Sequence, residues 1–187
     1  RNIAQSTCSL MALTLAPCLE QLLAEHVPAA DWQDGDVVIL NYPYCGSQHL
    51  PDIVTFQPVF VAGKRIAFAG AMAHHVDVGG SSPGSYNMTA REIFAEGLQI
   101  PPLRIKRGGV LADDLLALIL RNVRQPEILR GDLMAQIASL DIGARGIQRL
   151  AAKYGSEIVT AAARQMLAQS EAAMRRSIAA LPRGRYA

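Results

Sequence analysis

From Ile53 the chain reads IVTFQPVFVAG, and from Arg65 it returns as RIAFAGAMAHH. Two strand-length apolar runs, rich in β-branched and aromatic residues and joined at Gly63-Lys64, predict a β-hairpin. Pro58 has no N–H to give to a ladder, so its strand is expected at an edge or at a bulge. Just upstream, DWQDGD is a turn and VVILN, from Val37, is a continuous apolar run. Such a run fits a strand buried on both faces.

Helical patterns flank this region. Residues 7 to 26 offer Leu10, Leu13, Leu19, Leu22 and Leu23 for one apolar face, with Pro17 kinking or dividing the helix. TAREIFAEGL places Thr89 three residues before Glu92, a capping-box pattern that predicts a helix stopping near Gly97. ADDLLALILRNV predicts a helix with acidic residues in its first turn. Two more follow, from Pro126 to Tyr154 with Gly131, Gly143 and Gly146 as weak points, and from residue 156 to residue 181, ended by Pro182. The fold class expected is α+β. A mixed β-sheet region over residues 34–80 carries the hairpin, and a mainly helical half spans 88–182.

The hairpin is bracketed by two similar motifs. NYPYCGSQHLPDI holds His49 and Asp52, and AMAHHVDVGGSSPGS holds His74, His75 and Asp77. Imidazole and carboxylate are common ligands of Zn²⁺, Mn²⁺ and Fe²⁺. Strand ends are rigid places to display such groups. Pro51 stiffens the first motif, and Gly79-Gly80 lets backbone approach a ligand closely in the second. The plainer alternative is that these side chains hydrogen-bond locally and cap loops. Tyr42, Tyr44 and Cys45 read as packing or pocket wall. Cys45 beside His49 could serve as a nucleophile only if its thiol pKa were lowered. DVGGSSPGS could cradle a phosphate through its backbone N–H groups, or be a plain glycine turn.

Composition narrows the function. Eighteen basic and sixteen acidic side chains in 187 residues give no electrostatic case for nucleic acid or an anionic membrane. Three cysteines, Cys8, Cys18 and Cys45, with no CxxC spacing, support neither a disulfide framework nor a zinc knuckle. A reducing cytoplasm fits best. No apolar stretch has the length of a membrane span. Starting at Arg1, the chain reads as an internal piece of a larger subunit, expected to associate with other chains.

In order, DGDVVILNYPYCGSQHLPDI, AHHVDVGGSSPGS, EIFAEGLQIPPLRI, NVRQPEILRGDLMAQIA and GARGIQRLAAKYG resemble signature stretches of the hydantoinase B/oxoprolinase family. That family includes N-methylhydantoinase B subunits, the corresponding half of 5-oxoprolinases, and α-type subunits of acetone and acetophenone carboxylases. Asn41, Pro43, Tyr44, Gly46, His49, Leu50, Pro51 and Asp52 match its first motif. Tyr42, Ser47 and Gln48 stand where Asp, Gly and Thr are usual, changing the loop and removing one carboxylate.

The resemblance implies a divalent metal (Mn, Zn or Fe) held by His49, Asp52 and His74. His75 and Asp77 become catalytic candidates, with Asp77 able to orient an imidazole. Tyr44, Gly79 and Gly80 become substrate-binding candidates. It also implies an A-type partner subunit that uses ATP to activate a carbonyl, in a cytoplasmic hetero-oligomer. The B-type subunit then opens a cyclic amide by hydrolysis. The carboxylase branch, and a degenerate subunit serving only in assembly, are the alternatives.

Overall fold

The computed structural model describes residues 14–182 and Gly184. Five strands form one sheet: β1 (Val37–Leu40), β2 (Asp52–Val61), β3 (Lys64–His74), β4 (Leu103–Arg107) and β5 (Val110–Leu111), in the spatial order β3-β2-β1-β4-β5. Among the described residues four α-helices accompany it: α1 (Leu15–Glu25), α2 (Asp113–Arg121), α3 (Pro126–Tyr154) and α4 (Ser156–Ala179).

The α+β expectation holds, with one correction to the sheet. Every pairing is antiparallel, not mixed. No α-helix lies between strands that are neighbours in the sheet, whereas a parallel pair needs a long crossover that is usually such a helix. Two of the five strands, β4 and β5, also come from the half expected to be helical. Their turn, Gly108-Gly109, has φ of 54° and 88°, the left-handed pair that a tight two-residue hairpin needs.

The strand from Val37 is buried on both faces for a plain reason. Val37 and Ile39 join a core with Ile53, Ile105, Leu133, Ile137 and Leu140, under α2 and α3. Val38 and Leu40 join a second core with Val54, Phe56, Trp32 and Leu22, under α1. The sheet is therefore the middle of three layers, and alternation gives way to a solid apolar run.

Pro17 sits in the first turn of α1, where a missing N–H costs nothing. Residues 7 to 13 of the expected helix, with Leu10 and Leu13, lie outside the described residues, as does Cys8. The glycines of α3 do not interrupt it. Each costs about 1 kcal/mol relative to Ala, less than burial of Leu129, Leu133, Ile137 and Leu140 contributes.

The helix expected from Thr89 does not form; only a 3₁₀ turn at Ile93–Ala95 remains. The Thr89 N–H and hydroxyl both donate to Asn87 Oδ1, at 2.9 and 2.8 Å. They are thus taken by a local turn and cannot cap. No helix among the described residues is long and apolar enough to cross a membrane.

Candidate metal centre

The hairpin turn is Ala62-Gly63, with φ of 49° and 76°, one residue earlier than the expected Gly63-Lys64. Such a two-residue turn pairs Val61 with Lys64. Left regular, that register would set Asp52 opposite Ala73. Between Val59 and Phe60 the register shifts, and β3 takes in one extra residue, Ile66. Beyond this bulge Asp52 lies opposite His74. The bulge adjoins Pro58, which lies past the end of β1, so β2 borders only β3 there. Pro58 therefore withholds a donor where no second ladder needs one.

His49 reaches the same place through a tight turn. The Asp52 N–H donates to the His49 carbonyl at 2.9 Å, and the His49 N–H returns to Asp52 Oδ2 at 2.9 Å. The Pro51 carbonyl accepts from His75 N–H at 2.9 Å, fastening the turn to the end of β3. The Ser47 hydroxyl donates to the Asp52 carbonyl at 2.9 Å, so this departure from the usual family residue adds a local tie. Asn41 is fully buried and joins the loop to the chain around residue 99. Its Nδ2 donates to Leu50 and Leu98 carbonyls at 2.7 and 2.8 Å, and its Oδ1 accepts from Ile100 N–H at 2.6 Å. Gly46 is pressed against α1; a Cβ there would lie 2.7 Å from the Cβ of Cys18.

Asp52 is 0% exposed, yet its carboxylate is fully engaged. Oδ2 lies 2.8 Å from His49 Nδ1 and Oδ1 lies 2.6 Å from His74 Nδ1. Both imidazoles are largely solvent-facing. The three residues offer ligand atoms all within 4.8 Å of one another. Ligands about 2.1 Å from one ion lie at most about 4.2 Å apart, so small side-chain rotations bring this set onto a common point. Among the described residues it is the one group of three or more His, Cys, Asp or Glu side chains arranged so. The donor set, two imidazoles and a carboxylate, suits Zn²⁺, Mn²⁺ or Fe²⁺.

The other candidates fall elsewhere. Asp77 orients no imidazole. Its Oδ1 accepts from Gly79 N–H and Arg124 N–H, and its Oδ2 from Gly84 N–H and the Arg124 guanidinium, at 2.9 to 3.1 Å. Asp77 thus fills the glycine turn that could have cradled a phosphate. Burial raises its pKa, but the N–H groups of Arg124, Gly79 and Gly84 and the Arg124 side chain outweigh this and leave it below 3.8. His75 is buried against Gln136, 3.1 Å from Nε2 to Oε1, and burial lowers its pKa. Gly79 and Gly80 serve close packing: a Cβ on either would lie 2.5 Å from Asn122 O or 2.6 Å from Ala95 O. Tyr44 is 75% exposed and leans on Tyr42. Cys45 is no poised nucleophile; burial raises its thiol pKa, and its neighbour Cys18 is pushed up to about 12.

A stability prediction follows from Asp77. Replacing it with Asn removes the charge that pairs with Arg124, and should cost about 3 kcal/mol at pH 7. The depressed folded pKa makes this contribution present above 3.8 and lost as pH falls below it. Urea unfolding of both proteins should therefore show a gap at pH 7 that narrows as pH falls below 3.8. A gap unchanged by acid would contradict the assignment.

Motif spacing alone did not reveal Arg124, which also donates to the Gly80 and Ser82 carbonyls. Nor did it reveal the wall of a cavity of about 120 Å³ beside His49 and His74, formed by Ser85, Tyr86, Asn87, Met88 and Glu96. A larger space of about 420 Å³ also borders His74 and is lined by Asp132, Gln136 and Ser139 of α3.

The hydantoinase B/oxoprolinase family model matches residues 1–187. Caprolactamase subunit beta of Pseudomonas jessenii is 33% identical over 82% of this chain and 26% of its own. The crystal structure of the ATP-dependent caprolactamase from that organism superposes with a TM-score of 0.83, 29% identity, and coverage of 93% of this chain and 29% of that one. A 5-oxoprolinase of Dictyostelium discoideum is 32% identical over 78% of this chain and 12% of its own. The acetophenone carboxylase delta subunit of Aromatoleum aromaticum is 32% identical over 82% and 23%. The chain thus spans roughly a quarter or less of these relatives. With a family match over its whole length and this fold, the chain belongs to the hydantoinase B/oxoprolinase family.

Proposed function

We propose that this chain is the metal-holding part of a B-type subunit in an ATP-dependent cyclic-amide hydrolase of the hydantoinase or oxoprolinase kind. The convergence of His49, Asp52 and His74 at the end of the hairpin carries this reading. Their similarity context includes proteins named for opening cyclic amides. A divalent ion held there supplies a Lewis acid for a carbonyl oxygen. Asp52 lies between the two imidazoles, and the exposed ring faces leave the cavity beside them open to a substrate. An unstrained amide is slow to cleave, which accounts for a partner that activates it with ATP. That partner is the A-type subunit, within a hetero-oligomer.

The test is reconstitution of the full-length subunit with an A-type partner. Ring opening of a hydantoin, lactam or 5-oxoproline should require ATP and water alone, cease on chelation and return with Mn²⁺ or Zn²⁺. A requirement for bicarbonate with formation of a carboxylated product would place the protein in the carboxylase branch. An assembled complex inert toward both classes would make it an assembly subunit.

A further inference from the structure

We propose that Glu96 is a further catalytic residue of this site, the proton acceptor for the attacking water. The inference rests on the hydrolytic reading above. Amide hydrolysis needs a group that removes a proton from water and another, or the same, that protonates the departing nitrogen. Asp52, Asp77 and His75 are committed to other partners. Asp52 is buried with both oxygens facing imidazole nitrogens. Asp77 is closed by three backbone N–H groups and Arg124. His75 is held against Gln136.

Glu96 differs from all three. It lines the cavity of about 120 Å³ that His49 and His74 border, and its side chain is exposed. It makes no side-chain hydrogen bond or ion pair among the described residues. That space is large enough to hold water, and the imidazoles and the carboxylate all border it.

The backbone beneath this free side chain is fixed. Ser81 N–H and hydroxyl both donate to the Ala95 carbonyl, at 2.8 and 3.0 Å. Leu98 N–H donates to the Val78 carbonyl at 2.7 Å. Gly80 packs so tightly that a Cβ would lie 2.7 Å from the Glu96 carbonyl carbon. Gly79-Gly80 therefore acts on the site by docking the segment that carries Glu96. A rigid backbone holding an unpaired carboxylate at the cavity is the arrangement a general base requires.

The step balances. The water oxygen bonds to the amide carbon as Glu96 takes one water proton. When the C–N bond breaks, that proton passes to the nitrogen and the carboxylate is regenerated. Counted with the partner's ATP, the net change is amide, ATP and two waters to carboxylic acid, amine, ADP and phosphate.

Glu96→Gln keeps shape and cannot accept a proton. In the full-length subunit assembled with its partner, kcat should fall about 10²- to 10⁴-fold with KM little changed. The affinity of the metal-free subunit for Zn²⁺ or Mn²⁺, read by calorimetry, should match wild type, and Glu96→Asp should recover part of kcat. A kcat within about threefold of wild type overturns the proposal. So does a metal affinity that falls in step with kcat, which would make Glu96 a ligand. So does a raised KM with unchanged kcat, which would make it a binding group. If the wild-type subunit neither binds metal nor hydrolyses cyclic amides, the hydrolytic reading falls and takes this proposal with it. Wild-type turnover with an unimpaired Glu96→Gln protein overturns this proposal alone.

Discussion

His49→Ala should lower affinity for Zn²⁺ or Mn²⁺ by more than the roughly 10- to 100-fold typical of losing a residue that merely supports a ligand. It should also abolish turnover. Two remaining ligands, Asp52 and His74, hold a divalent ion poorly. The ring is largely exposed, so its removal leaves the cores intact. Calorimetric titration of the metal-free subunit measures the effect, with thermal unfolding of the apo-protein as the control for folding. His75→Gln is the matched comparison, since His75 faces Gln136 and lies outside the cluster. Its metal affinity should stay at the wild-type value. Equal losses in both variants would mean that a general disturbance of the β3 end, and not a ligand set, is being read.

The second large effect is on stability. Asn41→Leu removes the partners of three backbone groups at once: the Leu50 and Leu98 carbonyls and the Ile100 N–H. Each buried polar group left without a partner costs about 1–3 kcal/mol. The sum, at least about 3 kcal/mol, is a large part of the roughly 5–15 kcal/mol that holds a typical domain folded. Because Asn41 joins the first-motif loop to residues 98–100, metal affinity should weaken alongside stability. Urea unfolding checks the first effect. A loss below about 1 kcal/mol would mean that water or rearrangement satisfies these groups.

Much of the site was legible in the sequence because hairpin pairing is local. Two apolar runs and a glycine turn place the His49 and His74 motifs at the same end of a ladder. The fine register was not legible. The turn at Ala62-Gly63 alone would oppose Asp52 to Ala73, and only the bulge at Ile66 brings His74 across. Pro58 hints at such an irregularity without saying which strand takes the extra residue.

Two expectations failed for different reasons: Asp77 was expected to orient an imidazole and Thr89 to cap a helix. Asp77 is claimed by Arg124, which lies 47 residues away. Thr89 is claimed by Asn87, two residues back. The strands β4 and β5 escaped notice because LRIKR is short and rich in charge and VL is only two residues long, although Gly108-Gly109 between them is a hairpin signal. Glu96 carries no spacing signature at all. Only the docking of its segment on Gly79-Gly80 brings it to the cavity.

The central claim is that His49, Asp52 and His74 hold one divalent ion. Crystals of the full-length subunit soaked in Zn²⁺ or Mn²⁺, with diffraction recorded across the metal absorption edge, test it directly. The expected result is one anomalous peak at the open end of the hairpin, about 2.0–2.2 Å from an atom of each of the three side chains. A peak bound elsewhere, or none at this cluster when the ion is present in excess, would contradict the account.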